Sequence, residues 1–371
     1  MSLLKEIYRG DINIADGGLG TTLEDVCDLQ ISNTPLWSTR AVTDNDADAQ
    51  GLLADVHLSF LRAGARTLLT STYQAAFSTF EREGYSRDVA GELMSKAVAI
   101  ADVARSQFCA EKDVQPDQIR IALSLGTFGA TLSPMQDYGG IYPPPYGPKA
   151  YSATEDNTTS FGDDSAAREK SIDALAEFHA ERVLSYATND QTWNAIDCIA
   201  FETIALAREV TAIRRAVTKV DGELQRCGKR MKPWWITAVF PGGRSAETRY
   251  PGGENISAEE VATLMTRVEV DRNGRALAAP SGIGINCTDL KIQRELLGRF
   301  KRACQATIQE WPWLVIKPNG GDGTEHKRWA DELAELVKDA RQRWGGLIVG
   351  GCCKTRPMHI SELRRALDFC K

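Results

Sequence analysis

Gly282-Ile-Gly-Ile-Asn-Cys287, Leu314-Val-Ile-Lys317 and Leu347-Ile-Val-Gly-Gly-Cys-Cys353 are three short apolar runs, separated by the amphipathic stretches 289–309 and 326–343. A short apolar or β-branched run reads as a strand. A longer stretch with apolar residues three or four apart reads as a helix that buries one stripe. The same alternation extends upstream. Strands are predicted at Ile12–Ala15, Thr67–Ser71, Ile121–Leu125, Ile196–Phe201 and Trp235–Phe240.

The helices between them are predicted from their stripes. Residues 46–63 align Leu53, Val56 and Phe60, and residues 87–110 align Val89, Leu93, Ala97 and Ile100. Residues 168–187 use Ile172, Leu175 and Phe178, and residues 206–219 use Val210, Ile213 and Val217. Residues 257–270 use Val261, Leu264 and Val268, and a last helix is predicted over 358–370. Strand then helix, eight times, predicts an α/β fold of the (β/α)8 TIM-barrel type, a single domain over 1–371. A doubly wound sheet is the alternative. It would prefer a G-x-G-x-x-G loop after the first strand, and Asp16-Gly-Gly-Leu-Gly-Thr-Thr22 does not supply one. Two strand-to-helix loops are enlarged: 127–167, a long insertion carrying Pro143-Pro-Pro145, and 241–256. Loops of that length form lids or surface insertions, and in a barrel both would lie on the active-site face.

The 371 residues are 43% hydrophobic and 25% charged, which excludes an intrinsically disordered chain. A net charge of −6 argues against a general nucleic-acid binder. No apolar run approaches the ~20 residues of a membrane helix, and no signal-peptide core precedes Asp11. The expectation is a cytoplasmic protein with reduced thiols, acting on small molecules, with neither nucleic-acid nor membrane partners.

Nine cysteines are present. Cys287 closes one predicted strand, and Cys352 with Cys353 closes another. Both ends belong to the same face of a barrel. Buried packing is the ordinary fate of a cysteine, and it suits Cys109, Cys198, Cys227 and Cys304. It suits an adjacent pair less well, because neighbours on an extended strand point to opposite faces. Two cysteines that converge must sit where the chain turns, a path that Gly350 and Gly351 permit. Three thiolates with an open fourth position describe a catalytic zinc site. A substrate thiol could fill that position and be held as its thiolate. It could then attack a methyl group on a sulfonium or ammonium centre.

At these residues the chain resembles the homocysteine S-methyltransferase family. The anchors are Asp16-Gly-Gly-Leu-Gly-Thr-Thr-Leu-Glu24, Thr70-Ser-Thr-Tyr-Gln74, Phe201-Glu-Thr-Ile204, Gly284-Ile-Asn-Cys287, Pro318-Asn319 and Gly350-Gly-Cys-Cys-Lys-Thr-Arg-Pro-Met-His359, in that order. The resemblance implies a barrel holding Zn2+ through Cys287, Cys352 and Cys353, with Asp16 and Glu202 gripping the homocysteine ammonium. Turn-forming and helix-terminal roles are the alternatives for those two carboxylates. It also implies S-methylmethionine or S-adenosylmethionine as donor. Betaine or another onium donor, or a different thiol acceptor, is the alternative. Trp37, Tyr73 and Phe77 could line a pocket for the cationic donor. Gly17, Gly18, Thr72, Asn286, Asn319, Gly350 and Gly351 are the expected site-shaping residues. Ala205 departs from the family, where proline is frequent, and 127–167 is enlarged. A rival of another class is a non-catalytic zinc-storing or redox-sensing thiol module. His57 and His179 read as helix-packing histidines with satisfied rings, and His359 as structural.

Overall fold

The computed structural model describes residues 3–31, 34–43, 47–272, 274–308, 310–322, 325–341 and 343–368. Eight parallel strands form one sheet: β1 (Ile12–Ile14), β2 (Thr67–Leu69), β3 (Arg120–Gly126), β4 (Cys198–Ile204), β5 (Trp234–Ala238), β6 (Gly282–Asn286), β7 (Trp313–Lys317) and β8 (Leu347–Val349). Their order is β1-β8-β7-β6-β5-β4-β3-β2. The edges meet through a parallel bridge between Ala15 and Thr67, where Asp16 N–H donates to Thr67 O at 3.0 Å. The result is a (β/α)8 barrel.

Each strand is followed by a helix that covers it: α1 (Ala47–Ala63), α2 (Arg87–Lys112), α3 (Ser165–Ala187), α4 (Ala207–Arg226), α5 (Ala258–Thr266), α6 (Leu290–Thr307), α7 (His326–Ala340) and α8 (Pro357–Asp368). The stripes on α1, α3 and α4 are buried as expected. Two assignments need correction. Val89 stands 40% exposed, because the stripe of α2 runs through Ala90, Leu93, Met94 and Ala97 instead. Val268 lies beyond the end of α5 and is exposed. The end of the predicted last helix, with Cys370, lies outside the described residues, as does residue 46.

Alternation along the strands places the site. Cys198 and Ala200 of β4 and Trp313 and Val315 of β7 share one buried cluster with Leu4, Tyr8 and Ile348. Ile199, Phe201, Leu314 and Ile316 belong to the other cluster, packed with the helices. Strand residues two apart share a face, so the first group fills the barrel interior. Its members from β4 and β7 sit at the N-terminal ends of those strands, so the short helix Leu4–Ile7 plugs that end. Counting onward by twos, Glu202 and Lys317 point inward at the other end, the mouth. The fold therefore delivers polar side chains to the C-terminal face, where βα loops can reach them.

The two long loops fasten to one another. Thr159 Oγ1 donates to Ala246 O at 3.0 Å and Ser160 Oγ to Arg249 O at 2.8 Å. Buried Arg208 joins both, donating to Thr159 O and pairing with Glu247 at 3.3 Å. The start of the first loop is tied to α4: Tyr142 Oη and Phe128 N–H both donate to buried Glu209, which also meets His179 Nε2 at 3.0 Å. Among the described residues, buried His57 has no partner for either ring nitrogen and His179 none for Nδ1, so neither ring is fully satisfied as expected. Burial lowers the His57 pKa to about 4.

Candidate metal centre and active site

A cavity of about 180 Å³ opens at the barrel mouth. Cys287, Cys352 and Cys353 lie on its wall, and their sulfurs lie within 4.8 Å of one another. Cys287 follows β6 with φ +48°, a turn that ends the strand. Cys352 and Cys353 follow β8 and Gly350-Gly351, in a turn closed by Thr355 N–H to Cys352 O at 3.0 Å. The adjacent cysteines converge because the strand has already ended.

Two glycine pairs make this crossing possible. A Cβ on Gly17 would lie 2.6 Å from Thr355 O, one on Gly18 2.6 Å from Cys352 O, and one on Gly350 2.6 Å from Asp16 O. A Cβ on Gly351 would overlap the Thr355 side chain. The loops after β1 and β8 thus pack backbone on backbone, which only residues without Cβ allow.

Cys287 and Cys352 are joined by a disulfide, with Cα atoms 5.3 Å apart, and Cys353 is a free thiol. The separation falls inside the range that a disulfide spans, because β6 and β8 both flank β7. With the disulfide reduced, the donor set suits zinc. Tetrahedral Zn–S bonds of about 2.3 Å place sulfurs roughly 3.8 Å apart, a spacing within reach of the observed cluster. No fourth side chain of the described residues joins the three, so one position stays open.

The partners of the cysteines are polar and buried. Asn286 Oδ1 accepts from Thr203 N–H at 2.9 Å, and Asn286 Nδ2 donates to Thr203 Oγ1 at 2.9 Å. The same Nδ2 lies 3.5 Å from Cys287 Sγ and 3.9 Å from Cys352 Sγ. Asn319 Nδ2 donates to Cys287 O at 3.1 Å, and Asn319 O accepts from the Trp329 indole. Burial pushes the Cys353 thiol up, against a hydrogen bond from Tyr138 that pulls it down.

Asp16 is fully buried beside the cavity. Its Oδ2 accepts from Leu69 N–H at 2.7 Å, and its Oδ1 has no partner among the described residues. Burial raises its pKa to about 7, although Lys317 and the Leu69 N–H oppose that rise. Glu202 lines the cavity already paired: Lys317 Nζ is 2.8 Å from Oε1, and Ser124 Oγ is 3.3 Å from Oε2. Neither carboxylate plays the bland part open to it in the sequence. Asp16 ties β1 to β2, and Glu202 lies within β4.

The aromatic residues divide. Trp37 and Tyr73 line the cavity. Phe77 does not: it begins the short helix Phe77–Arg82 on the outer surface, with the Arg87 guanidinium 4.0 Å from its ring centroid. A turn after Tyr73 carries the chain away from the mouth, so sequence proximity was misleading. Thr72 is buried behind the wall, where Oγ1 donates to Ser124 O at 2.7 Å and fastens the end of β2 to β3. His359 packs against His326 and Trp329.

Sequence reasoning missed Lys317, Thr203, Met135, Asp137 and Tyr138, all on the cavity wall. Lys317 had a signal: a lysine ending the apolar run Leu314-Val-Ile. Met135, Asp137 and Tyr138 belong to the 127–167 loop, which has no periodicity from which to read direction.

The family model for homocysteine S-methyltransferase matches residues 13–367. Homocysteine S-methyltransferase 3 of Zea mays is 29% identical over 96% of this chain and 90% of its own length. Selenocysteine Se-methyltransferase of Brassica oleracea var. italica is 28% identical over 98% of this chain and 91% of its own. The oxidized form of the homocysteine methyltransferase MmuM from Escherichia coli superposes with TM-score 0.67 at 25% identity, covering 98% of each chain. Its metallated form gives the same score at 23% identity, over 98% of this chain and 99% of that one. Fold, cysteine cluster and a match spanning almost the whole chain agree: this protein belongs to the homocysteine S-methyltransferase family.

Proposed function

We propose that this chain transfers a methyl group from a sulfonium donor, S-methylmethionine or S-adenosylmethionine, to the thiol of homocysteine in a zinc-dependent reaction that yields methionine. Family membership supports methyl transfer to homocysteine. The observation that carries the finer reading is the convergence of three cysteine sulfurs on one cavity wall, with the buried Asp16 carboxylate, one oxygen of which has no partner among the described residues, beside the same strand ends. Cys287, Cys352 and Cys353 would hold the metal. Bound there, zinc supplies the Lewis acidity that keeps an incoming thiol as thiolate near neutral pH.

The chain's own groups do the rest. Asp16 Oδ1 and Glu202 accept hydrogen bonds from the homocysteine ammonium. Asn286 and Thr203 fix the Cys287 sulfur, and Asn319 fixes its carbonyl. The thiol proton leaves to solvent. A sulfur lone pair forms the new S–CH3 bond, while the donor's S–CH3 bond breaks and its electron pair stays on the donor sulfur. That sulfur loses its positive charge and departs as a thioether. Trp37 and Tyr73 face the onium before transfer. Ligand thiols must be reduced for this chemistry, which fits a cytoplasmic setting. Among the described residues, no helix is long and apolar enough to cross a membrane.

The test is reduced protein loaded with zinc, assayed for methionine formation and for bound metal. About one zinc per chain is expected, with turnover lost in Cys353→Ser. Full turnover by metal-free protein would overturn the reading. The disulfide supports one rival, a redox-sensing thiol module. That rival predicts no methionine from any donor under reducing conditions.

A further inference from the structure

The wall of the cavity carries three acidic or basic side chains: Glu202, Lys317 and Asp137. Two of them neutralise each other, since Lys317 is paired with Glu202. Asp137 has no cationic partner among the described residues. It is only 8% exposed, and Tyr73 Oη donates to its Oδ2 at 3.4 Å. Met135 and Tyr138, from the same loop, stand beside it on the wall with Trp37 and Tyr73. The Tyr138 hydroxyl is hydrogen-bonded to the Cys353 thiol, so this carboxylate sits next to the sulfur cluster. A buried carboxylate without a counter-charge is costly and is relieved when a cation arrives. Burial raises its pKa only to about 6, opposed by backbone N–H groups and the Tyr73 hydroxyl, so it is ionised at neutral pH.

We infer that Asp137 selects the methyl donor: it pairs with the onium centre between the aromatic faces and rejects donors whose own carboxylate lies beside that centre. This rests on the proposed methyl transfer and adds the residue that sets donor class. The discrimination follows from geometry. In glycine betaine a single carbon separates the carboxylate from the ammonium nitrogen, so any group touching the onium also meets that carboxylate. In S-methylmethionine three carbons separate the sulfonium from the carboxyl carbon, and the two charges can point apart. Like charges in a desolvated site repel strongly.

The timing of charge also assigns the kinetic effect. The positive charge on the donor is complete in the ground state, fading in the transition state and gone in the product. Asp137 therefore strengthens donor binding more than it stabilises the transition state. It should act on donor KM rather than kcat.

The experiment compares zinc-loaded wild type, Asp137→Asn and Asp137→Glu, with S-methylmethionine and glycine betaine as probes. Calorimetric binding and steady-state turnover are both read, with zinc content and homocysteine affinity as controls of folding. In Asp137→Asn the dissociation constant and KM for S-methylmethionine should rise about tenfold or more, with kcat unchanged or higher. Its preference for S-methylmethionine over betaine should narrow, and Asp137→Glu should restore most of the binding. Donor affinity and donor preference within twofold of wild type in Asp137→Asn would overturn the inference. If wild type binds S-methylmethionine in an Asp137-dependent way yet transfers no methyl group, the inference stands and the proposed reaction falls.

Discussion

Lys317 Nζ lies 2.8 Å from Glu202 Oε1 at the barrel mouth, joining two buried side chains 115 residues apart in sequence. Lys317→Met would leave Glu202 buried without its counter-charge. Removing one member of a buried pair costs about 3–5 kcal/mol. Urea unfolding should show that loss. Adding Glu202→Gln to the same chain should recover most of it. A double variant no more stable than the single one would show that the pair is not what couples β4 to β7.

Asp16 makes the stability pH-dependent in a definite direction. Its carboxyl rises from the ordinary value of 3.8 to about 7 on folding, so the folded protein holds a proton that the unfolded chain has released. The Asp16 contribution is therefore fully present below about pH 3.8 and is lost as pH climbs to about 7. Between pH 5 and 7, thermal midpoints of homocysteine-free wild type should fall relative to those of Asp16→Asn. Parallel pH profiles for the two proteins would contradict the assignment.

Gly126 stands against the Tyr73 ring: a Cβ there would lie 2.7 Å from Tyr73 Cε2. Gly20 does the same for Trp37, where a Cβ would fall within contact of the indole six-membered ring. Gly126→Ala and Gly20→Ala should each displace one aromatic wall, at a stability cost of about 1–3 kcal/mol. Donor KM should rise in both, with zinc content and homocysteine KM near wild type. An equal rise in homocysteine KM would mean that the walls do not belong to a donor subsite.

Arg182 is fully buried with no carboxylate ion-paired to it among the described residues, and it donates to four backbone carbonyls, those of Thr72, Tyr73, Ala75 and Gly126. It ties the turn after β2 to the end of β3, beneath Tyr73. Arg182→Met should destabilise the fold by about 3 kcal/mol or more, because several buried carbonyls lose their donors. Arg182→Lys should recover only part, since an ammonium lacks the planar fork. Calorimetric melting checks both. Full recovery by lysine would show that charge, rather than geometry, is what the site needs.

The sequence by itself determined the barrel, because each strand and helix carries its own apolar period and the eightfold alternation has few other solutions. It also determined where the cysteines fall, since a strand's end is a local property. Their turn after Gly350-Gly351 could be anticipated from the alternation of strand side chains. Bounds were less legible. Helix α5 stops at Thr266 although Val268 continues the stripe, because exposure is decided by what lies opposite. Only the tertiary structure decided that Phe77 turns outward while Tyr73, four residues earlier, faces the cavity. It also decided that Lys317 meets Glu202, and that Asp137 comes to the sulfur cluster from a loop without any repeating pattern. The Tyr73–Asp137 contact spans 64 residues and the Lys317–Glu202 contact 115. They depend on how strands and loops close around one mouth, and periodicity along the chain carries no record of that closure.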